Sequence, residues 1–139
     1  LQALLPLAAD RPPTEFRLQT LLHLADALFT YRHAYHGAVD TSAVIDWLVL
    51  SADNPRSLRY QVDEITRHLG MLPAELAPRK VAALRLQSQR MLGEIRLNDA
   101  PRLASQPTEA TRLLLDMQQH LHTVGDELNH IYFSHAEVR

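Results

Sequence analysis

The sequence predicts an all-α fold, and three observations carry that expectation. Apolar residues return at three- and four-residue intervals through most of the chain, the spacing that lines one face of a helix. No stretch alternates apolar and polar residues as a half-buried strand would. Asn, Asp, Thr, Pro and Gly, the residues that start or stop helices, stand at the ends of the periodic runs. With 139 residues, 46% of them hydrophobic and 22% charged, the chain suits one globular domain able to bury a core. Short connections and apolar seams of this width predict a mostly antiparallel bundle of four long helices plus one short buried helix.

The leading residues 1–13 read as an apolar leader or the tail of an upstream helix, and residues 14–139 as the bundle. Leu1 rather than Met stands first, which suggests one domain of a longer polypeptide. Leu1 to Ala9 has no basic lead-in, and neither it nor Val44 to Leu50 approaches the roughly 18 to 20 apolar residues needed to cross a bilayer. Neither a secretory signal nor membrane association is expected. Pro12 and Pro13 break the chain ahead of Thr14.

From Thr14 to about His36, Leu18, Leu21, Leu22, Ala25, Leu28 and Phe29 set the apolar arc of a long first helix. Asp40 or Thr41 can cap a short second helix, in which Asp46 is the lone polar side chain among Val44, Ile45, Trp47, Leu48, Val49 and Leu50. Its β-branched content leaves a strand conceivable there. The third helix has Asn54 as N-cap, Pro55 as first residue, a repeat at Leu58, Val62, Ile65 and Leu69, and a stop at Gly70. Val81, Leu84, Ser88, Met91 and Ile95 mark the seam of a fourth helix. Leu114, Met117, Leu121, Val124, Leu128 and Ile131 mark a fifth, and the two should pack along their lengths. Asn98 to Pro107 reads as a loop, with Thr108 as the cap of the fifth helix.

Composition excludes several function classes. Lys plus Arg number 14 against 16 Asp plus Glu, so no global field gathers nucleic acid or anionic lipid. The absence of cysteine excludes disulfides, thiolate nucleophiles and Cys-ligated metals, and is compatible with the cytoplasm. Four glycines, none in a phosphate-cradling loop, exclude nucleotide binding by that device, and no cofactor is expected.

Three stretches together resemble a known family. Thr30-Tyr31-Arg32, then Val44 to Leu50 followed by Asn54-Pro55-Arg56-Ser57-Leu58, and finally Tyr132-Phe133-Ser134-His135 are similar, in order and spacing, to the C-terminal half of the Alpha-E family. The resemblance runs from about Thr14 to His135. The family's name comes from a predicted α-helical domain with a Glu-Arg motif, which is not recognisable in this chain. Family members occur in bacteria, alone or fused behind a circularly permuted ATP-grasp ligase domain. The family's association with ATP-grasp enzymes and transglutaminase-like proteins therefore implies an accessory or catalytic role in peptide or amide-bond modification. The partner it implies is an ATP-grasp type ligase in the same chain or operon, and a homo-oligomer is also compatible.

Five residues are candidates for anion or substrate binding: Arg32, Asp46, Asn54, Arg56 and Ser57. Continuing the first helix turns Arg32 into the apolar arc, where an unpaired charge costs several kcal/mol. A buried Arg32–Asp46 fork would satisfy it. Fraying after Phe29 would instead let Arg32 reach water, and a ligand-facing charge is the third reading. Arg56 and Arg59 lie in the first turns of a helix, where positive charge is unfavourable. A bound anion held with Ser57 and free backbone N–H groups would compensate it, as would pairing of Arg56 with Asp53, Asp46 or water.

Other constellations read as structural. His122, Asp126 and His130 align on one face, but opposite the apolar seam, so no metal site is expected. Glu127-x-x-His130 has no second copy, as a di-iron bundle would need. His33 and His36 with Tyr35 suit a helix C-terminus. A Ser57, His68 and Asp63 triad lacks any orienting signal. The basic residues Arg79, Lys80, Arg85, Arg90 and Arg96 spread around their helix without interleaved aromatics, unlike a nucleic-acid stripe. The sequence leaves three functions open: a docking module for the ligase, a substrate-binding or catalytic component, and a metal-binding bundle.

Overall fold

The computed structural model describes residues 14–75 and 77–133, and every regular element among them is helical. The leader Leu1 to Ala9 and the end of the Tyr132–His135 stretch lie outside the described residues. Seven α-helices succeed one another: α1 Glu15–Leu24, α2 Leu28–Ala34, α3 Thr41–Ile45, α4 Leu58–Met71, α5 Pro78–Arg96, α6 Ala100–Ser105 and α7 Pro107–Tyr132. A π-helical turn, Asp46–Leu50, continues α3 directly. Val44 to Leu50 is thus helical throughout and not a strand. No helix among the described residues is long and apolar enough to cross a membrane.

The expected long first helix is two helices. Asp26 takes φ 51°, a left-handed conformation that Asp tolerates better than most residues. Around it the chain closes a Schellman motif: Ala27 N donates to Leu22 O at 2.8 Å and Asp26 N to His23 O at 2.9 Å. Leu22 and Ala27, the pair that packs in such a motif, are both fully buried. The break changes the helical phase of α2. Tyr31 turns into the core, while Phe29, placed in the apolar arc by the periodicity, is 86% exposed.

Other ends also move. The N-cap of α4 is Ser57, which accepts from Tyr60 N at 3.0 Å, not Asn54. Gly70 lies inside α4, whose last carbonyls are taken by a side chain from the next helix. Arg85 donates Nε to Leu69 O at 2.9 Å, and Nη2 to Leu72 O at 2.9 Å and Gly70 O at 3.2 Å. A cationic fork at a helix C-terminus replaces the glycine stop. The expected loop from Asn98 to Pro107 holds α6, capped by Asp99 through Arg102 N at 2.9 Å. Pro107, not a residue after Thr108, opens α7.

The seams otherwise behave as their spacing predicts. Val81, Leu84, Ser88, Met91 and Ile95 are all buried on α5. That helix lies chiefly along α4 and also against α7. Two cores result. The larger is built by α1, α2, α3, the π turn, α6 and the facing ends of α4, α5 and α7. The smaller gathers Leu69, Val81, Leu84, Val124 and Ile131 at the far end of α4, α5 and α7.

Candidate functional site

A polar cleft of 500 Å³ opens beside the π turn. Its walls come from the end of α2, the start of α3, the π turn, the first turn of α4 and the α5–α6 junction. Tyr35, Asp40, Asp46, Arg59, Asn98 and Asp99 are among its polar groups. π turns are uncommon and concentrate at functional positions, and this one begins at Asp46.

Each polar group is fixed by a local cause. Asp40 and Asp99 are N-caps, each giving one oxygen to a backbone N–H: Asp40 Oδ1 accepts from Ala43 N at 3.0 Å, and Asp99 Oδ1 from Arg102 N at 2.9 Å. The Tyr35 hydroxyl donates a hydrogen bond to Asp46 Oδ2. Arg59 Nη1 donates to Leu50 O at 3.2 Å, and Asn98 Nδ2 to Glu94 O at 2.7 Å.

An aromatic cluster stiffens the wall behind Tyr35. Its ring stacks on Tyr31 at 5.0 Å between centroids and meets Trp47 edge-on at 5.9 Å. Burial raises the pKa of Tyr35 well above the usual phenol value. The hydrogen bond to Asp46 and the negative charge of that carboxylate add to the rise. Tyr31 is raised too, first by burial and then by the charge of Asp40. Both phenols therefore stay protonated near neutrality, and Tyr35 remains a donor to Asp46.

The five candidates separate. Asp46 alone lines the cleft. Its partner is Tyr35, not Arg32, because the break at Asp26 and the shifted phase of α2 leave Arg32 exposed. Asn54 and Ser57 are buried and build the turn between the π segment and α4. Asn54 Nδ2 donates to Trp47 O at 2.8 Å, and its Oδ1 accepts from Arg56 N at 3.1 Å. Ser57 Oγ donates to Ser51 O at 2.5 Å, so its hydroxyl is committed on both sides. Arg56 pairs with Asp26 at 2.7 Å, tying the helix break to the start of α4.

The remaining constellations take their own places. His122, Asp126 and His130 are all exposed on α7, and no group of three metal-binding side chains forms among the described residues. Glu127 meets Lys80 at 3.7 Å, and Arg96 meets Asp63 at 3.3 Å, so two of the α5 cations serve helix packing. Tyr35, Asp40, Asn98 and Asp99 carry no site signal of their own in the sequence. Asp40 is readable there only as a cap, and Asp99 falls in a stretch with the composition of a loop.

Compared with known families, residues 1–133 match one described as "a predicted alpha-helical domain with a conserved ER motif". The chain belongs to the Alpha-E family. The match to Alpha-E spans the leading segment as well as the helices α1 to α7. No curated protein and no solved structure matches the chain.

Proposed function

We propose that this Alpha-E domain is an accessory module that docks on an ATP-grasp type peptide or amide ligase in the bacterial cytoplasm, in the same chain or encoded beside it. One observation carries the reading: large apolar side chains are exposed on the first two helices. Phe16 is 78% exposed, Leu24 73% and Phe29 86%. Phe16, Thr20 and Leu24 recur every fourth residue and so share one face of α1. Exposed aromatic and aliphatic groups that form one contiguous patch mark interaction surfaces.

The polar cleft supports a second reading, a substrate-binding component of the same enzyme with Asp46 as its contact residue. Docking is tested by co-expressing the chain with its genomic neighbour of ATP-grasp type and purifying through a tag on the ligase. The expected result is a stable complex, lost in Phe16→Glu and Phe29→Glu while the helical circular dichroism and melting temperature hold. A complex that survives both substitutions would remove α1 and α2 from the interface, and no complex at all would remove the partner.

A further inference from the structure

The apolar residues exposed on α1 and α2 have cations beside them that the described part of the domain leaves unpaired. Arg17 lies three residues before Thr20 and seven before Leu24, so it stands on the flank of the face that Phe16, Thr20 and Leu24 share. On α2, Arg32 follows Phe29 by three residues and His33 follows it by four, the spacings that make both its neighbours on the helix surface. Arg17, Arg32 and His33 are all exposed. Among the described residues neither arginine side chain forms an ion pair, whereas the acids of the same segment are engaged. Glu15 accepts from Gln19 Nε2 at 3.0 Å, and Asp26 pairs with Arg56 at 2.7 Å.

This arrangement constrains what can cover the face. Burying Phe29 under a partner takes Arg32 partly out of water with it, and burying Leu24 does the same to Arg17. A guanidinium that leaves water without a partner is strongly disfavoured, so a favourable interface needs carboxylates opposite these two positions. Arginine suits such a place, because its planar fork meets a carboxylate at two points and it is less strongly hydrated than lysine. Aromatic and arginine side chains together often form the energetic centre of a protein interface. An anionic membrane fits less well: recognition of lipid charge takes about four to eight clustered cations, and α1 and α2 offer only the arginines at 17 and 32.

We infer that this face docks on an acidic protein surface, whose carboxylates pair with Arg17 and Arg32 around the apolar contacts of Phe16, Leu24 and Phe29. The pairing rests on the docking proposal above and adds to it the chemistry of the partner's surface. Arg32 then serves an outward contact with another protein, not an inward one with Asp46.

Stopped-flow association of the chain with the proposed ATP-grasp partner, at salt concentrations from about 50 to 500 mM, tests it. The wild-type on-rate should fall about tenfold or more across that range, as in a steered encounter between opposite charges. The double variant Arg17→Glu, Arg32→Glu should lower the on-rate at low salt by about tenfold or more and flatten its salt dependence. Arg17→Lys, Arg32→Lys keeps the charge and should stay within about threefold of wild type. Both double variants should keep the wild-type melting temperature, since neither arginine side chain is paired among the described residues. A complex whose on-rate and salt dependence are unchanged in the Glu double variant would overturn the acidic surface and leave docking intact. No complex with the wild-type chain would overturn both. Binding of the wild-type chain to phosphatidylglycerol vesicles, lost in the Glu double variant and in Phe16→Glu, would overturn the inference in favour of a membrane.

Discussion

Removal of the Asn54 side chain should cost this fold two buried hydrogen bonds. Asn54 is 2% exposed, and its side chain bridges the π turn to the start of α4. In Asn54→Ala the Trp47 carbonyl loses its 2.8 Å donor and the Arg56 N–H loses its 3.1 Å acceptor. Two lost hydrogen bonds amount to about 2 kcal/mol, and leaving a desolvated carbonyl unpaired adds about 1 kcal/mol more. The expected loss is therefore about 3 kcal/mol, a large part of the roughly 5 to 15 kcal/mol typical of a domain. Urea unfolding followed by fluorescence is well suited, because Trp47 is the chain's single tryptophan and is itself the acceptor. With an m-value of about 2 kcal/mol/M, the midpoint should fall by about 1.5 M. Asn54→Asp keeps the acceptor but sets a carboxylate oxygen against the Trp47 carbonyl in a buried site, so its midpoint should fall at least as far as that of Asn54→Ala. A shift under about 0.3 M in Asn54→Ala, with m unchanged, would refute the assignment of these bonds as structural.

Other expectations rest on single features. Asp26→Ala places a β-carbon-bearing residue without a compensating carboxylate in the left-handed conformation, and should destabilise by about 1 kcal/mol. Asp26→Gly should be stabilising or neutral, since its conformational gain exceeds what an exposed Arg56 pair contributes; thermal melts of both variants decide it. Arg85→Met strips three carbonyls at the end of α4 of their donor and should cost about 2 kcal/mol. Hydrogen exchange should then rise in residues 68–72, and unchanged exchange would show that water satisfies those groups equally well. The raised phenol values give a sign for alkaline pH. Tyr31 and Tyr35 contribute stability that is complete below the ordinary phenol value near 10 and is lost as pH rises beyond it. Melting temperatures measured from pH 8 to 11.5 should fall at the top of that range, and less steeply in Tyr35→Phe. Equal slopes would contradict the burial of these phenols.

The helices are legible in the sequence wherever periodicity and burial agree. Val81 to Ile95 and Leu114 to Ile131 each present a repeat long enough to fix both the helix and its buried face. The termini are less legible, because a terminus depends on which tertiary group completes it. Gly70 looks like a stop in isolation, but Arg85, fifteen residues later, makes that stop unnecessary. Asp26 hides a break because only its backbone conformation, reinforced by the Leu22 and Ala27 contact, distinguishes it from a helical Asp.

The site is legible to the extent of one residue. Asp46 stands out as a charge in an apolar segment, and the structure places it on the cleft. Its partner is not readable, since a helix continued through Asp26 aims Arg32 inward, whereas the broken one aims Tyr31 and Tyr35. Asp40 and Asp99 reach the same cleft only because α3 and α6 begin side by side, a juxtaposition made by non-local packing. Arg56 and Ser57, adjacent to a helix start, carry the pattern of an anion site; in the structure Asp26 and the Ser51 carbonyl supply their partners.

Hydrogen exchange of the domain alone and in complex with the proposed ATP-grasp partner tests docking most directly. Slowed exchange confined to residues 15–34, where Phe16, Leu24 and Phe29 are exposed, is the result expected. A complex whose protection falls on α5 or α7 instead, with α1 and α2 unchanged, would contradict it.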